Sequence, residues 1–180
     1  MGKAILLTGR PGCGKTTLIR QIIERLSVPA GGFYTQEIRQ PGEGSTGGRR
    51  RGFEIITLDG RRGVLARVDL RSPRRVGKYG VNLPDLENLA ASAVREAVAA
   101  GGLVIIDEIG PMEIASPAFR RAVLEALESP AAVLGSIVQR STPFTDPIKR
   151  LPQVTLIEVR LDNRQALAEK ILQLLHPKNP

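Results

Sequence analysis

Rings and thiols are scarce in this chain. It has no tryptophan, two tyrosines and four phenylalanines, so aromatics make up 3% of its 180 residues. Proteins that hold single-stranded nucleic acid by base stacking need more rings than that. A single cysteine, Cys13, rules out an intrachain disulfide, which suits a reducing compartment. The one histidine, His176, falls in a C-terminal tail and makes no case for catalysis or metal binding. No apolar run reaches the length of about 20 residues that a bilayer crossing needs. The opening Met1-Gly2-Lys3-Ala4 leads straight into a short apolar run, without the longer hydrophobic stretch and cleavage site of a secretory signal. These absences predict a soluble, cytoplasmic protein with no membrane partner.

What is present is ordinary in bulk. Apolar residues are 42% and charged residues 24%, enough for one domain over 1–180 with a true core. Nothing in the composition calls for more than a monomer. The net charge is +8 with a sequence pI near 10.4, and a basic surface attracts polyanions. Extra arginine beside an anionic ligand accounts for this. Nucleic-acid binding is the sharper alternative, but no basic nucleic-acid motif accompanies the charge.

Periodicity predicts an α/β fold, a mostly parallel sheet flanked by helices. Ala4 to Thr8 reads as a strand, and Leu18, Ile19, Ile22, Ile23 and Leu26 give a helix from about Lys15 to Leu26. Residues 33–68 carry short β-type runs and the turn signal Asp59-Gly60. They read as a small antiparallel insertion with an exposed, mobile Gly/Arg-rich tip at 41–51. Leu83 to Ala100 is helical and ends at Gly101-Gly102. Leu103 to Ile106 is a buried parallel strand. Ser116-Pro117 is a cap and first position for a helix to about Glu128. Strands at 131–138 and 154–159 and a closing helix at 163–175 complete the alternation that defines a parallel sheet.

The most informative string is Gly9-Arg10-Pro11-Gly12-Cys13-Gly14-Lys15-Thr16, which matches G-x-x-x-x-G-K-[ST]. Glycines let backbone N–H groups wrap a polyphosphate, and the following helix aims its positive end at it. Lys15 is expected at the terminal phosphates and the Thr16 hydroxyl on Mg²⁺. Thr17 continues the helix near the α-phosphate. Cys13, at a helix N-terminus beside Lys15, has the setting of a reactive thiol; a small residue chosen for fit is the plainer reading.

A second site follows from Leu103-Val-Ile-Ile-Asp107-Glu108. An aspartate ending a buried strand beside the cradle anchors Mg²⁺ through a water. The adjacent Glu108 is placed to orient or deprotonate a water in line with a γ-phosphate. This pairing favours hydrolysis over binding alone. Asp107-Glu-Ile-Gly110 also fits D-x-x-G, but no N-K-x-D string follows, so little discrimination among bases is expected. Ser136 is a candidate γ-phosphate sensor and Arg140 a candidate for transition-state charge. Arg71, Arg74 and Arg75 form a basic loop that would grip an acceptor phosphate if the chain were a kinase.

The residues resemble a known family, the small P-loop nucleoside-triphosphatases of the thermophilic and cancer-related type. The resemblance covers nearly the whole chain. It rests on Gly9 to Thr17, Gly32-Phe-Tyr-Thr-Gln-Glu37, Gly52 to Thr57, Arg75-Val-Gly-Lys-Tyr79, Ile106-Asp-Glu-Ile-Gly-Pro-Met-Glu113, Gly135-Ser-Ile137 and Asp162-Asn-Arg164. It implies a RecA-like core and slow Mg²⁺-dependent hydrolysis of several nucleoside triphosphates, ATP and GTP among them. The roles of Lys15, Thr16, Asp107 and Glu108 carry over at matching positions. The long stretch 41–51 departs from the family pattern. A small-molecule or nucleotide kinase and a nucleic-acid-linked ATPase remain the alternatives.

Overall fold

The computed structural model describes residues 1–41 and 48–175. Nine strands form one sheet: β1 (Ala4–Thr8), β2 (Ala30–Gln40), β3 (Arg49–Thr57), β4 (Arg62–Arg67), β5 (Arg75–Val76), β6 (Tyr79–Val81), β7 (Leu103–Ile109), β8 (Val133–Ile137) and β9 (Val154–Glu158). Their spatial order is β5-β6-β4-β3-β2-β7-β8-β1-β9. From β2 to β9 neighbouring strands are parallel, and from β2 to β5 they are antiparallel.

The antiparallel part is therefore no separate insertion. It is a wing of the same sheet, and it reaches further than 33–68. β2 belongs to both halves. Its first residues pair in parallel with β7 (Phe33 opposite Ile106), while Phe33 to Gln40 pair antiparallel with β3. β5 and β6 were not expected. They are short, and a Gly77 with φ of 56° makes the turn between them. Runs this brief give no periodicity to read.

The parallel strands are buried on both faces, which explains their unbroken apolar sequences. Alternate residues serve different cores. Ala4 and Leu6 join Val104, Ile106, Phe33 and Phe119 on one face. Ile5 and Leu7 join Leu103, Ile105, Leu18, Ile19 and Ile22 on the other. The first face is covered by α3 (Ser92–Ala100) and α4 (Pro117–Glu128), and the second by α1 (Lys15–Glu24) and α6 (Arg164–Leu175). Two smaller helices, α2 (Leu83–Asp85) and α5 (Thr145–Lys149), lie at loop ends. The segment read as one helix over 83–100 contains π-helical turns at Leu86–Ala91, between α2 and α3. It ends at Gly101 in the left-handed region, as the C-cap signal requires. The expected tip at 41–51 falls mainly on 42–47, outside the described residues, as does His176. Arg49, Arg50 and Arg51 belong to β3.

The cap of α4 is as the sequence predicts. The buried Ser116 hydroxyl accepts from Phe119 N at 3.1 Å and donates to Glu87 Oε1 at 3.1 Å, and Pro117 opens the helix. Ser116→Ala is expected to destabilise the fold by about 1–2 kcal/mol. The denaturant midpoint should fall with an unchanged m-value.

Candidate phosphate and metal site

The turn between β1 and α1 is built on glycine. Gly12 and Gly14 take φ of 78° and 94°, where a side chain is strained. Cys13 N donates to Arg10 O, and Leu18 N donates to Gly14 O as α1 begins. The Lys15 ammonium sits across the cradle, donating to Gly9 O at 3.1 Å and Arg10 O at 3.3 Å. Arg10, Pro11, Gly12 and Thr17 are exposed around this mouth. Cys13 turns the other way. It is buried and packs with Ile5, Leu7 and Val159 in the second core. The structure thus gives Cys13 the plainer role of a small packing residue, because burial keeps its thiol from reagents.

β7 lies one strand beyond β8 from β1 and delivers Asp107 to the cradle. The fully buried Asp107 uses one carboxylate oxygen heavily. Oδ2 accepts from Thr16 Oγ1 at 3.1 Å, Thr35 N at 2.9 Å and Thr35 Oγ1 at 2.8 Å. Oδ1 has no partner, nor does Thr8 Oγ1 at the end of β1. Among the described residues these are the two buried side-chain oxygens left unsatisfied. Buried polar atoms are nearly always paired, so this corner is shaped for something that brings positive charge or hydrogen bonds. Burial pushes the Asp107 carboxyl above its usual range, while the bonds from Thr35 and Thr16 and the charge of Lys15 pull it back.

Residues and donor chemistry fit Mg²⁺. A hydroxyl and a carboxylate are hard oxygen ligands, and Mg²⁺ characteristically takes few protein ligands and completes its shell with water and phosphate.

Glu108 is partly buried. Burial, and then the charge of Asp107, raise its pKa, with Lys15 opposing. Its side chain folds over the next glycine but one. A Cβ on Gly110 would stand 2.8 Å from both Cγ and Cδ of Glu108. Gly110 is not in the left-handed region, so room for Glu108, not backbone strain, is what the glycine provides.

Two functional neighbours escaped the sequence reading. Thr35 has no local signal: it lies just past the last β2–β7 pair, Phe33 opposite Ile106, and meets Asp107 through its N–H and hydroxyl. Glu113 is an almost fully buried carboxyl, 2% exposed, in the 3₁₀ turn Glu113–Ala115. Burial first, then the charges of Glu108 and Asp107, push its pKa well up, against hydrogen bonds from backbone N–H groups including Gly110. An acid four residues past the strand offered no clue that it would turn inward.

Of the remaining candidates, Ser136 is buried on β8 and its hydroxyl donates to the Asp107 carbonyl, tying β8 to β7. Arg140 is exposed on the following loop, whose carbonyls at Gln139 and Arg140 accept from Lys149. Arg71, Arg74 and Arg75 lie away from the cradle. β5 stands seven strand positions from β1, roughly 30 Å along the sheet at the usual strand spacing. Arg75 spends its guanidinium on the carbonyls of Leu70 and Lys78. The solvated-surface reading of that loop is the one the structure gives.

A glycine cradle between β1 and α1, with Asp107 two strands away bonded to the threonine that follows the cradle lysine, defines a P-loop nucleotide-binding protein. The chain belongs to the NTPase family, whose model matches residues 4–172. It is 47% identical over 171 residues to the nucleoside-triphosphatase THEP1 of Thermotoga maritima, covering 95% of this chain and 94% of that protein. It is 39% identical over 188 residues to the human cancer-related nucleoside-triphosphatase, covering 96% of each. The crystal structure of THEP1 from Aquifex aeolicus superposes with a TM-score of 0.84 at 40% identity, over 96% of this chain and 98% of that one. The solution structure of the human protein gives 0.82 at 37%, over 99% and 100%.

Two outcomes follow from this geometry. Gly110→Ala should displace the Glu108 carboxylate and lower kcat by about tenfold or more, while nucleotide affinity by fluorescence titration stays close to wild type. Glu113 carries a raised folded pKa, so the folded state holds its proton longer than the unfolded chain does. Its penalty is absent at acid pH and grows as pH rises from the ordinary carboxylate range through the folded pKa. Glu113→Gln is therefore expected to raise the urea midpoint at pH 8 and to flatten the decline in stability from pH 5 to pH 8.

Proposed function

We propose that this chain hydrolyses nucleoside 5′-triphosphates to the diphosphate and inorganic phosphate, with Mg²⁺ and with broad tolerance of the base. The observation that carries the reading is the contact of Thr16 with Asp107 beside a partly buried Glu108 of raised pKa. Binding alone needs the cradle. A carboxylate held next to the metal anchor, in reach of the charge of Lys15, supports turnover.

The backbone N–H groups of the cradle and the start of α1 bind the phosphates. Lys15 exchanges the carbonyls of Gly9 and Arg10 for terminal phosphate oxygens and stabilises charge that develops there. Thr16 and Asp107 would hold Mg²⁺, and the ion would supply positive charge against the phosphates. Glu108 orients a water in line with the γ-phosphorus. The water oxygen bonds to phosphorus, the bond to the β-bridging oxygen breaks, and the proton of the water passes to Glu108. A carboxylate whose pKa is raised accepts that proton more readily than an ordinary one. Broad base tolerance is supported by the missing N-K-x-D string. The kinase alternative drew on the loop at 71–75, which lies at the other end of the sheet. No helix among the described residues is long and apolar enough to cross a membrane.

The test is phosphate release from ATP, GTP, CTP and UTP with Mg²⁺ and no acceptor. Release from all four is expected, and Glu108→Gln should lower it about a hundredfold or more while nucleotide still binds. Tight binding without release from the wild-type protein would overturn the proposal. So would release that depends on added polynucleotide or on a phosphate acceptor.

A further inference from the structure

The cradle has a second flank. β9 lies on the side of β1 opposite to β8 and β7, so whatever follows β9 reaches the P-loop from the side away from Asp107 and Glu108. That connection is tightly fixed. Val159 N donates to Thr8 O at 2.8 Å, and a Cβ on Gly9 would stand 2.5 Å from Val159 O. Asn163 accepts from Arg160 N at 2.9 Å and donates to Glu158 O at 3.0 Å, which sets the start of α6. The first residue of α6 is Arg164. Its side chain lies against Gly14, the residue that caps α1: a Cβ there would collide with Arg164 Nη1 and stand 2.9 Å from its Cδ.

Two other arginines flanking α6 are committed elsewhere. Arg160 is bonded to Asp162 and Arg25 to Glu169. The Arg164 guanidinium has neither a hydrogen bond nor an ion pair among the described residues, and the residue is only half exposed. A guanidinium kept from its own acids and laid on a phosphate cradle suits a phosphate ligand, which its planar fork matches in shape and charge.

We infer that Arg164 is a nucleotide-binding residue that contacts the α-phosphate end of the ligand. The inference rests on the reading of Gly9–Thr16 as the phosphate cradle. With the γ-phosphate drawn toward Asp107 and Glu108 on the β7 side, the chain of phosphates runs back across Gly14 toward the β9 side, where Arg164 stands. The contact is to phosphate, so it is shared by all bases. It is also shared by substrate and diphosphate product, since neither the γ-phosphate nor the attacking water is near it.

The experiment titrates fluorescent-labelled ATP and ADP, with Mg²⁺, into wild type, Arg164→Ala and Arg164→Lys. Arg164→Ala is expected to raise Kd about tenfold to a hundredfold, by the same factor for both nucleotides. Arg164→Lys, which keeps the charge and loses the fork, should fall between. In steady state the loss should appear in KM and not in kcat. Equal Kd values for wild type and Arg164→Ala would overturn the inference. So would a loss confined to ATP, or one that falls on kcat, either of which places the guanidinium at the γ-phosphate. Failure of the wild-type protein to bind either nucleotide would instead overturn the cradle reading. Circular dichroism and the melting temperature of Arg164→Lys separate misfolding from lost contact.

Discussion

The architecture turns on a single oxygen atom. Asp107 Oδ2 accepts from Thr16 on α1 and twice from Thr35 on β2, while its own backbone belongs to β7. Three elements far apart in sequence are thus joined where the two halves of the sheet meet. The carboxylate is buried, so each of these bonds forms out of water and is correspondingly strong. With one oxygen saturated, the other is left pointing into a polar corner with nothing to bind. The same arrangement that fixes the fold therefore leaves one buried carboxylate oxygen without a partner, the feature on which its proposed role rests.

Charge around that point is unevenly distributed. The chain as a whole is strongly basic, yet Asp107, Glu108 and Glu113 gather at the end of β7 and the turn after it, with Lys15 as the cation acting on the first two. Burial raises the proton affinity of all three; the charge of Asp107 adds to it at Glu108, and the charges of Glu108 and Asp107 add to it at Glu113. Such a cluster is poor as a folded-state stabiliser. In the proposed reaction these acids would answer positive charge that arrives with substrate.

The chemistry-bearing residues were legible to the extent that they sit in contiguous strings. Gly9 to Thr16 and Leu103 to Glu108 each carry their own local context, strand then loop then helix, or apolar strand then acid. The parallel strands and the caps at Ser116 and Gly101 could be read for the same reason. What sequence alone did not supply is everything set by register or by packing between distant segments. Thr35 meets Asp107 just past the last β2–β7 pair, Glu113 turns inward through a 3₁₀ turn, and Arg164 lies on Gly14 through the docking of α6 on α1. The wing was recognised as antiparallel β, but its continuity with the main sheet depends on β2 pairing with β7, which no local pattern encodes.

That shared strand sets where the molecule tolerates change. β5 lies at the far edge of the sheet from the cradle, so length added at the β5–β6 turn leaves the bonds at Asp107 in place. The stretch from Phe33 to Thr35 has no such freedom. Insertion of one residue there would turn the threonine to the opposite face of the sheet, and Asp107 would lose two of its three donors at once. The root of the wing is thereby held to a fixed length by bonds made on the far side of the β2–β7 seam.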